Sequence, residues 1–266
     1  MNFFSNNNLD FSLVLSGGGA LGIAHLGVLE DLEKANKIPR EVIGTSMGGI
    51  IGACISIGMK EKEIYNLFEK FSNVFNWVSF SFSGNSIITK NKIEKIFVDI
   101  FKDRKMRDTD IELKLITTEL YTGNLKIFSK NDDVTIVDAL LATMAIPGVF
   151  EEQNINGIVY GDGFLSSNLA IEEAQYDDII ASNVLGENSF AGNIIKDRNI
   201  LKTQNILNMV ERSMRILIYN QTRDALKRLR SSRLKTIILL DIETKEFKTF
   251  HFHKLKEIKA AGKGLF

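Results

Sequence analysis

The sequence predicts an α/β fold built on a parallel sheet, and a few stretches carry that expectation. "FSLVLS" at 11–16 is short, apolar and closed by glycines, as a buried strand is. "LGIAHLGVLEDLEKANK" follows it with Leu21, Ala24, Val28, Leu29 and Leu32 at helical spacing. Pro39 and "EVIG" then give a turn and a second strand. "SMGGIIGACISIG" is a helix of small residues that can pack closely on a sheet. Strand, loop, helix, strand, turn, helix is the order that parallel strands with crossover helices require.

The rest of the chain continues in the same style. Helices are expected at 60–72 and 91–103, and strands at 113–119 and 124–129 around the turn "YTGN". "TIVDALLATMAIPGVF" reads as a helix stopped before Pro147, because a residue preceding proline is pushed out of the helical region. "GIVYGDG" is a strand entering a glycine turn, "DIIASNVL" another strand, and 203–230 a long helix. "KTIILLDI" is a last strand and "KLKEIKAAGKG" a terminal helix. "FKTFHFHK" alternates phenylalanine with histidine, which predicts an edge strand with both histidines on one face. Without a repeat, a low-complexity tract or a proline-rich linker, one domain over residues 1–266 is expected.

Composition excludes several function classes. Lys+Arg and Asp+Glu both number 33, so no overall field favours nucleic acid, and no nucleic-acid partner is expected. A lone cysteine, Cys54, rules out an internal disulfide and any multi-cysteine metal site. It lies in an apolar helical run, as a packing thiol does. Residues 11–29 are largely apolar, but His25 and five glycines interrupt them. The stretch before them lacks a basic segment. Neither a signal peptide nor a membrane span is expected, and the expected compartment is the cytoplasm.

Two glycine-rich motifs hold the chemistry. "SGGGALG" fits G-x-G-x-x-G through Gly17, Gly19 and Gly22, a pattern that can cradle a pyrophosphate. A dinucleotide site also needs an acid at the end of the next strand, to bind the ribose. Glu41 precedes that strand, and the strand ends in "GTSMGG", so the dinucleotide reading fails its own context. Bare glycine N–H groups ahead of a helix N-terminus serve an oxyanion as well as a phosphate. "GTSMG" is G-x-S-x-G between strand and helix, in which Gly44 and Gly48 permit a sharp elbow that lifts the Ser46 hydroxyl clear of the sheet. A helix N-cap is the other role open to Ser46. A nucleophilic serine needs a base. Of the three histidines, His25 sits on the first helix, where a packing role is expected, while His251 and His253 lie far down the chain. Asp162, between glycines in "YGDGF", is the remaining candidate, and an ordinary Asp-Gly turn is its alternative reading.

Taken together, "SGGGALGIAHLGVL", "GTSMGGIIGA", "ATMAIPGVFEE" and "GDG", in that order over residues 11–185, resemble the patatin-like phospholipase family. The end "FHFHKLKEIKAAGKG" resembles that family's closing helix. The resemblance implies a three-layer α/β/α architecture with a central, mostly parallel sheet. It implies a Ser46–Asp162 dyad, with Ser46 as nucleophile and Asp162 as base, and an oxyanion hole of Gly17, Gly18 and Gly19 N–H groups. The implied reaction is hydrolysis of phospholipid or lysophospholipid esters through an acyl-enzyme, with no cofactor and no metal. Two departures stand out. Leu21 replaces the family's usual Arg or Lys, and Phe164 follows the aspartate turn where a small residue is usual. The rivals are an α/β-hydrolase using Ser46, Asp162 and His251 or His253, and a non-catalytic lipid-binding protein. The early position of the elbow speaks against the first, and the intact motif set against the second.

Two further stretches bear on lipid. "VFNWVSFSFSGNSIITK" (74–90) is rich in aromatics, as either a lid or buried core would be. "RDALKRLRSSRLK" (223–235) holds six basic residues against one acid. It suits a peripheral contact with anionic membrane lipid or a solvated helix end.

Overall fold

The computed structural model describes residues 10–78, 86–190, 203–232 and 235–266. Its sheet forms where apolar runs meet in register. Strands β1 (Phe11–Leu15), β2 (Glu41–Thr45), β3 (Glu112–Glu119), β7 (Asp178–Asn183) and β8 (Thr236–Asp241) run parallel. On the far side of β3, strands β4 (Leu125–Phe128) and β6 (Ile158–Asp162) pair with it antiparallel, and β5 (Gln153–Ile155) pairs with β6. The eight-stranded order is β5-β6-β3-β2-β1-β7-β8, with β4 also on β3. The sheet is thus mixed and mostly parallel. The short β5–β6 hairpin around Asn156 and Gly157 is one that the sequence reading lacked.

Alternation along the strands divides the core into two layers. Leu13, Leu15, Val42, Leu113, Leu115 and Ile180 face one side. There they meet α1 (His25–Lys34), α2 (Met47–Ser56), α3 (Glu61–Val78), α4 (Ser86–Phe101), α5 (Ile136–Thr143) and α7 (Leu255–Ala261). Val14, Ile43, Ile116, Ile179 and Ala181 face the other side, against Leu169–Ile171 and Ala225 of α6 (Thr203–Ser232). The result is the expected three-layer α/β/α arrangement. Cys54 is buried in the larger layer, and burial pushes its thiol up to about 12, as suits a packing group. At the N-terminal ends of the strands, buried Glu41 accepts from the Ser12 hydroxyl at 2.5 Å and pairs with Lys114 Nζ at 2.6 Å. Glu41 therefore fastens strands together at the end away from the glycine loop.

Strand order places the crevice. From β1 the chain steps through β2 to β3 on one side, whereas β7 and β8 lie on the other. Loops diverge at the C-terminal ends of strands where the order reverses, and such a switch point opens a site. The glycine loop follows β1 and the elbow follows β2 at this place.

Two expectations needed correction. The segment "FKTFHFHK" is a turn leading into a 3-10 helix at Phe252–Lys254, not an edge strand. It follows β8 without joining the sheet, since its phenylalanines pack inward on the core instead. The first helix begins as a 3-10 segment, Gly19–Ala24, before α1. Of the aromatic segment 74–90, residues 74–78 end α3 and 86–90 begin α4, and the remainder lies outside the described residues. Among the described residues, no helix is long and apolar enough to cross a membrane.

Candidate active site

Ser46 stands between β2 and α2 with φ +52° and ψ −122°. A serine rarely adopts that conformation, so surrounding structure must hold it there. The flanking glycines explain how the turn is reached. A side chain at Gly44 would lie 2.5 Å from the Gly48 carbonyl oxygen, and one at Gly48 would lie 2.4 Å from the Leu15 carbonyl oxygen. Only glycine lets β1, β2 and α2 approach so closely. The Ser46 N–H donates to Thr143 Oγ1 at 2.9 Å, and the serine side chain makes no capping hydrogen bond to α2.

Asp162 ends β6 and is fully buried. Its Oδ1 accepts the Phe164 N–H at 3.0 Å, while Oδ2 is buried without a hydrogen-bond partner. Burial pushes the carboxyl up to about 7, against smaller lowering contributions from the Phe164 N–H and the Ser46 hydroxyl. The serine is thus near enough to be felt, but no hydrogen bond of ordinary geometry joins it to Oδ2.

The glycine loop supplies unpaired donors. In a trans peptide the C=O and the following N–H point in opposite directions. The Gly17 carbonyl accepts from Asn168 Nδ2 at 3.3 Å, which turns the Gly18 N–H away from Asn168. The Gly18 carbonyl accepts the Leu21 N–H at 3.2 Å, which turns the Gly19 N–H away from the first helical turn. No described residue accepts from the Gly18 or Gly19 N–H. The Gly17 N–H, by contrast, donates to the Asn168 carbonyl at 3.3 Å. Gly18 is buried and Gly19 half-buried, and two such unpaired donors on adjacent residues can bind an anion.

The histidines stand apart from this chemistry. His25 is buried, and desolvation lowers its pKa to about 4. As the neutral ring it donates from Nε2 to the Ser16 carbonyl at 2.9 Å and accepts the Ser182 hydroxyl proton at Nδ1 at 2.7 Å. It ties the end of β1, just before the glycine loop, to β7. His251 Nδ1 accepts the Lys248 N–H at 3.1 Å, and its ring lies 5.2 Å from that of His253. Among the described residues, neither forms a hydrogen bond with Ser46 or Asp162.

Leu21 is fully buried in the larger core, so no cation stands at its position. Phe164 is half-buried against the same core. α6 reaches across the site from behind. Gln221 donates to the Leu165 carbonyl beyond Asp162 at 3.2 Å. Glu211 accepts from the Thr249 N–H and hydroxyl, and the Thr249 carbonyl takes the Ala20 N–H at 2.7 Å. Sequence reasoning missed Thr143, Asn168, Glu211 and Thr249. Only Thr143 carried a signal, through its place in the "ATMAIPGVF" stretch.

A family model described as patatin-like phospholipase matches residues 13–175, which include the loop, the elbow and Asp162. Lysophospholipase NTE1 of Coccidioides immitis (strain RS) is 30% identical over 165 residues, covering 60% of this chain and 10% of that one. The cUMP-AMP-activated phospholipase of Escherichia coli is 27% identical over 172 residues, covering 57% of this chain and 52% of that one. The chain thus spans about a tenth of the fungal relative and about half of the bacterial one. Among solved structures, VipD from Legionella pneumophila matches with a TM-score of 0.44 at 14% identity, covering 97% of this chain and 67% of that one.

Proposed function

The chain belongs to the patatin-like phospholipase family, and from that premise we propose that it is a serine acyl hydrolase of phospholipid or lysophospholipid esters. The observation that carries the reading is the unpartnered Asp162 Oδ2, buried beside the strained Ser46. The ionised Asp162 takes the Ser46 hydroxyl proton as Oγ attacks the ester carbonyl. Negative charge then develops on the carbonyl oxygen, and the Gly18 and Gly19 N–H groups stabilise it. Expulsion of the alcohol, with the proton returned from Asp162, leaves an acyl-Ser46. Water attacks that ester through the same base and hole, releasing the fatty acid. Burial serves this reaction, because a carboxyl titrating near 7 is a stronger base than an ordinary aspartate.

The lipid reading draws on two relatives, a lysophospholipase and a phospholipase. With Leu21 buried, head-group recognition falls to groups other than the residue the family usually places there. The test is a hydrolysis panel of p-nitrophenyl esters, lysophospholipids, diacyl phospholipids and triglycerides. Ser46→Ala is expected to lose at least about 10³-fold in turnover, and a fluorophosphonate should label Ser46 in the wild type. His251→Ala and His253→Ala should keep most activity. A folded histidine variant as inactive as Ser46→Ala would restore a triad.

A further inference from the structure

The stretch "ATMAIPGVF" has a use in the fold that the proposed reaction leaves unassigned. α5 ends at Thr143, beneath the elbow. The buried Thr143 Oγ1 donates its single proton to the Ile116 carbonyl at 2.5 Å. Its lone pairs are then free for the Ser46 N–H, which donates to it at 2.9 Å. Two residues on, the Ala145 carbonyl accepts the Asp162 N–H at 2.9 Å. A turn of three residues therefore grips the backbone of both Ser46 and Asp162, which are otherwise carried by separate strands.

We infer that Thr143 is a positioning residue that holds Ser46 in its reactive backbone conformation, and that the Thr143–Ala145 turn sets the spacing of the Ser46–Asp162 pair. Ser46 at φ +52° would relax if its amide were released, and relaxation would swing Oγ away from Asp162. The hydroxyl opposes this because it accepts the amide only in the strained orientation. The Thr143 methyl has a separate task. It lies 3.2 Å from where a side chain at Gly49 would begin, packing α5 on α2. Hydroxyl and methyl are thus separable by substitution.

The inference rests on Ser46 and Asp162 being the reacting pair, and the test separates the two ideas. Thr143→Val keeps the shape and removes the hydroxyl, whereas Thr143→Ser keeps the hydroxyl and removes the methyl. Thr143→Val is expected to lower kcat on the order of 10²-fold with KM little changed, since misplacement acts on the chemical step. Thr143→Ser should recover most of that loss. A crystal structure of Thr143→Val should show Ser46 departing from positive φ. Melting curves accompany each variant, and Thr143→Ala stands in if Thr143→Val does not fold. Wild-type kcat in Thr143→Val, or Thr143→Ser as inactive as Thr143→Val, overturns the inference. If the wild type cleaves no ester, the proposed function fails, and the Ser46 conformation in Thr143→Val still decides whether the clamp exists.

Discussion

At the residue scale, the burial that would make Asp162 a base also costs stability. Its carboxyl moves from 3.8 to about 7 because burial disfavours the charge. Between those values the folded state holds a proton that the unfolded state has lost. Stability therefore falls as pH rises through that window and stays at the lower level above it. If Asp162 is the base, as proposed, turnover is expected to move the other way, rising with pH through about 7 as the carboxylate forms. Asp162→Asn should nearly abolish turnover, yet melt higher than the wild type well above pH 7, by on the order of a few kcal/mol. That gain should shrink as pH approaches 3.8. His25 has the opposite linkage. Its pKa falls from 6.5 to about 4, so the unfolded state protonates first and stability drops as pH descends between the two values. The slopes oppose each other in the wild type, and Asp162→Asn should remove the carboxyl's contribution while leaving that of His25 in place. An Asp162→Asn variant no more stable than wild type in alkali would mean that the carboxyl is not charged against its environment.

At the element scale, the glycine loop is a strand end whose peptide planes are set from outside. Asn168 turns one plane, the first helical turn sets the next, and Thr249 receives the Ala20 N–H. Gly19 has φ +56°, and a side chain there would lie 2.4 Å from the Thr249 carbonyl oxygen. Gly19→Ala thus combines a left-handed alanine, about 1–2 kcal/mol, with displacement of a backbone contact beside the proposed oxyanion site. It should lower both the melting temperature and kcat. Gly123→Ala, at φ +74° with nothing within 4 Å, carries the backbone strain alone. It should lose stability modestly and keep kcat. Equal effects of the two substitutions on kcat would deny the loop its catalytic role.

At the scale of the whole molecule, α6 covers one face of the sheet and presents its own outer face to solvent. Ile216 and Leu217, adjacent on that face, are 44% and 64% exposed. The basic stretch at its end is more engaged than its composition suggested. Arg228 forms a bidentate pair with Glu172, and Arg223 and Lys227 lie near Asp224. Arg233 and Leu234 lie outside the described residues. A lipid contact here would therefore rely more on apolar insertion than on attraction to anionic head groups. The expected outcome is sedimentation with phospholipid vesicles that is lost in Ile216→Ser/Leu217→Ser, while hydrolysis of a soluble p-nitrophenyl ester persists. Vesicle binding unchanged in that double variant would remove α6 as the contact.

Much of this architecture follows from local sequence alone. Apolar runs bounded by glycine specified β1 and β2, alternation divided their side chains between two layers, and G-x-S-x-G marked the elbow, because each is a property of neighbouring residues. The Asp162 turn was legible as a motif, but its role in the site depends on β6 pairing with β3 and not on anything in "GDG" itself. The "FKTFHFHK" stretch misled because strand alternation and a turn with inward phenylalanines leave the same pattern until the core is assembled. Only tertiary structure buried Asp162 and raised its pKa, singled out Gly18 and Gly19 as the unpaired donors, and set Thr143 under Ser46 from 97 positions away in the chain. Burial, peptide orientation and long-range hydrogen bonds are relations between segments distant in sequence, so no local pattern encodes them.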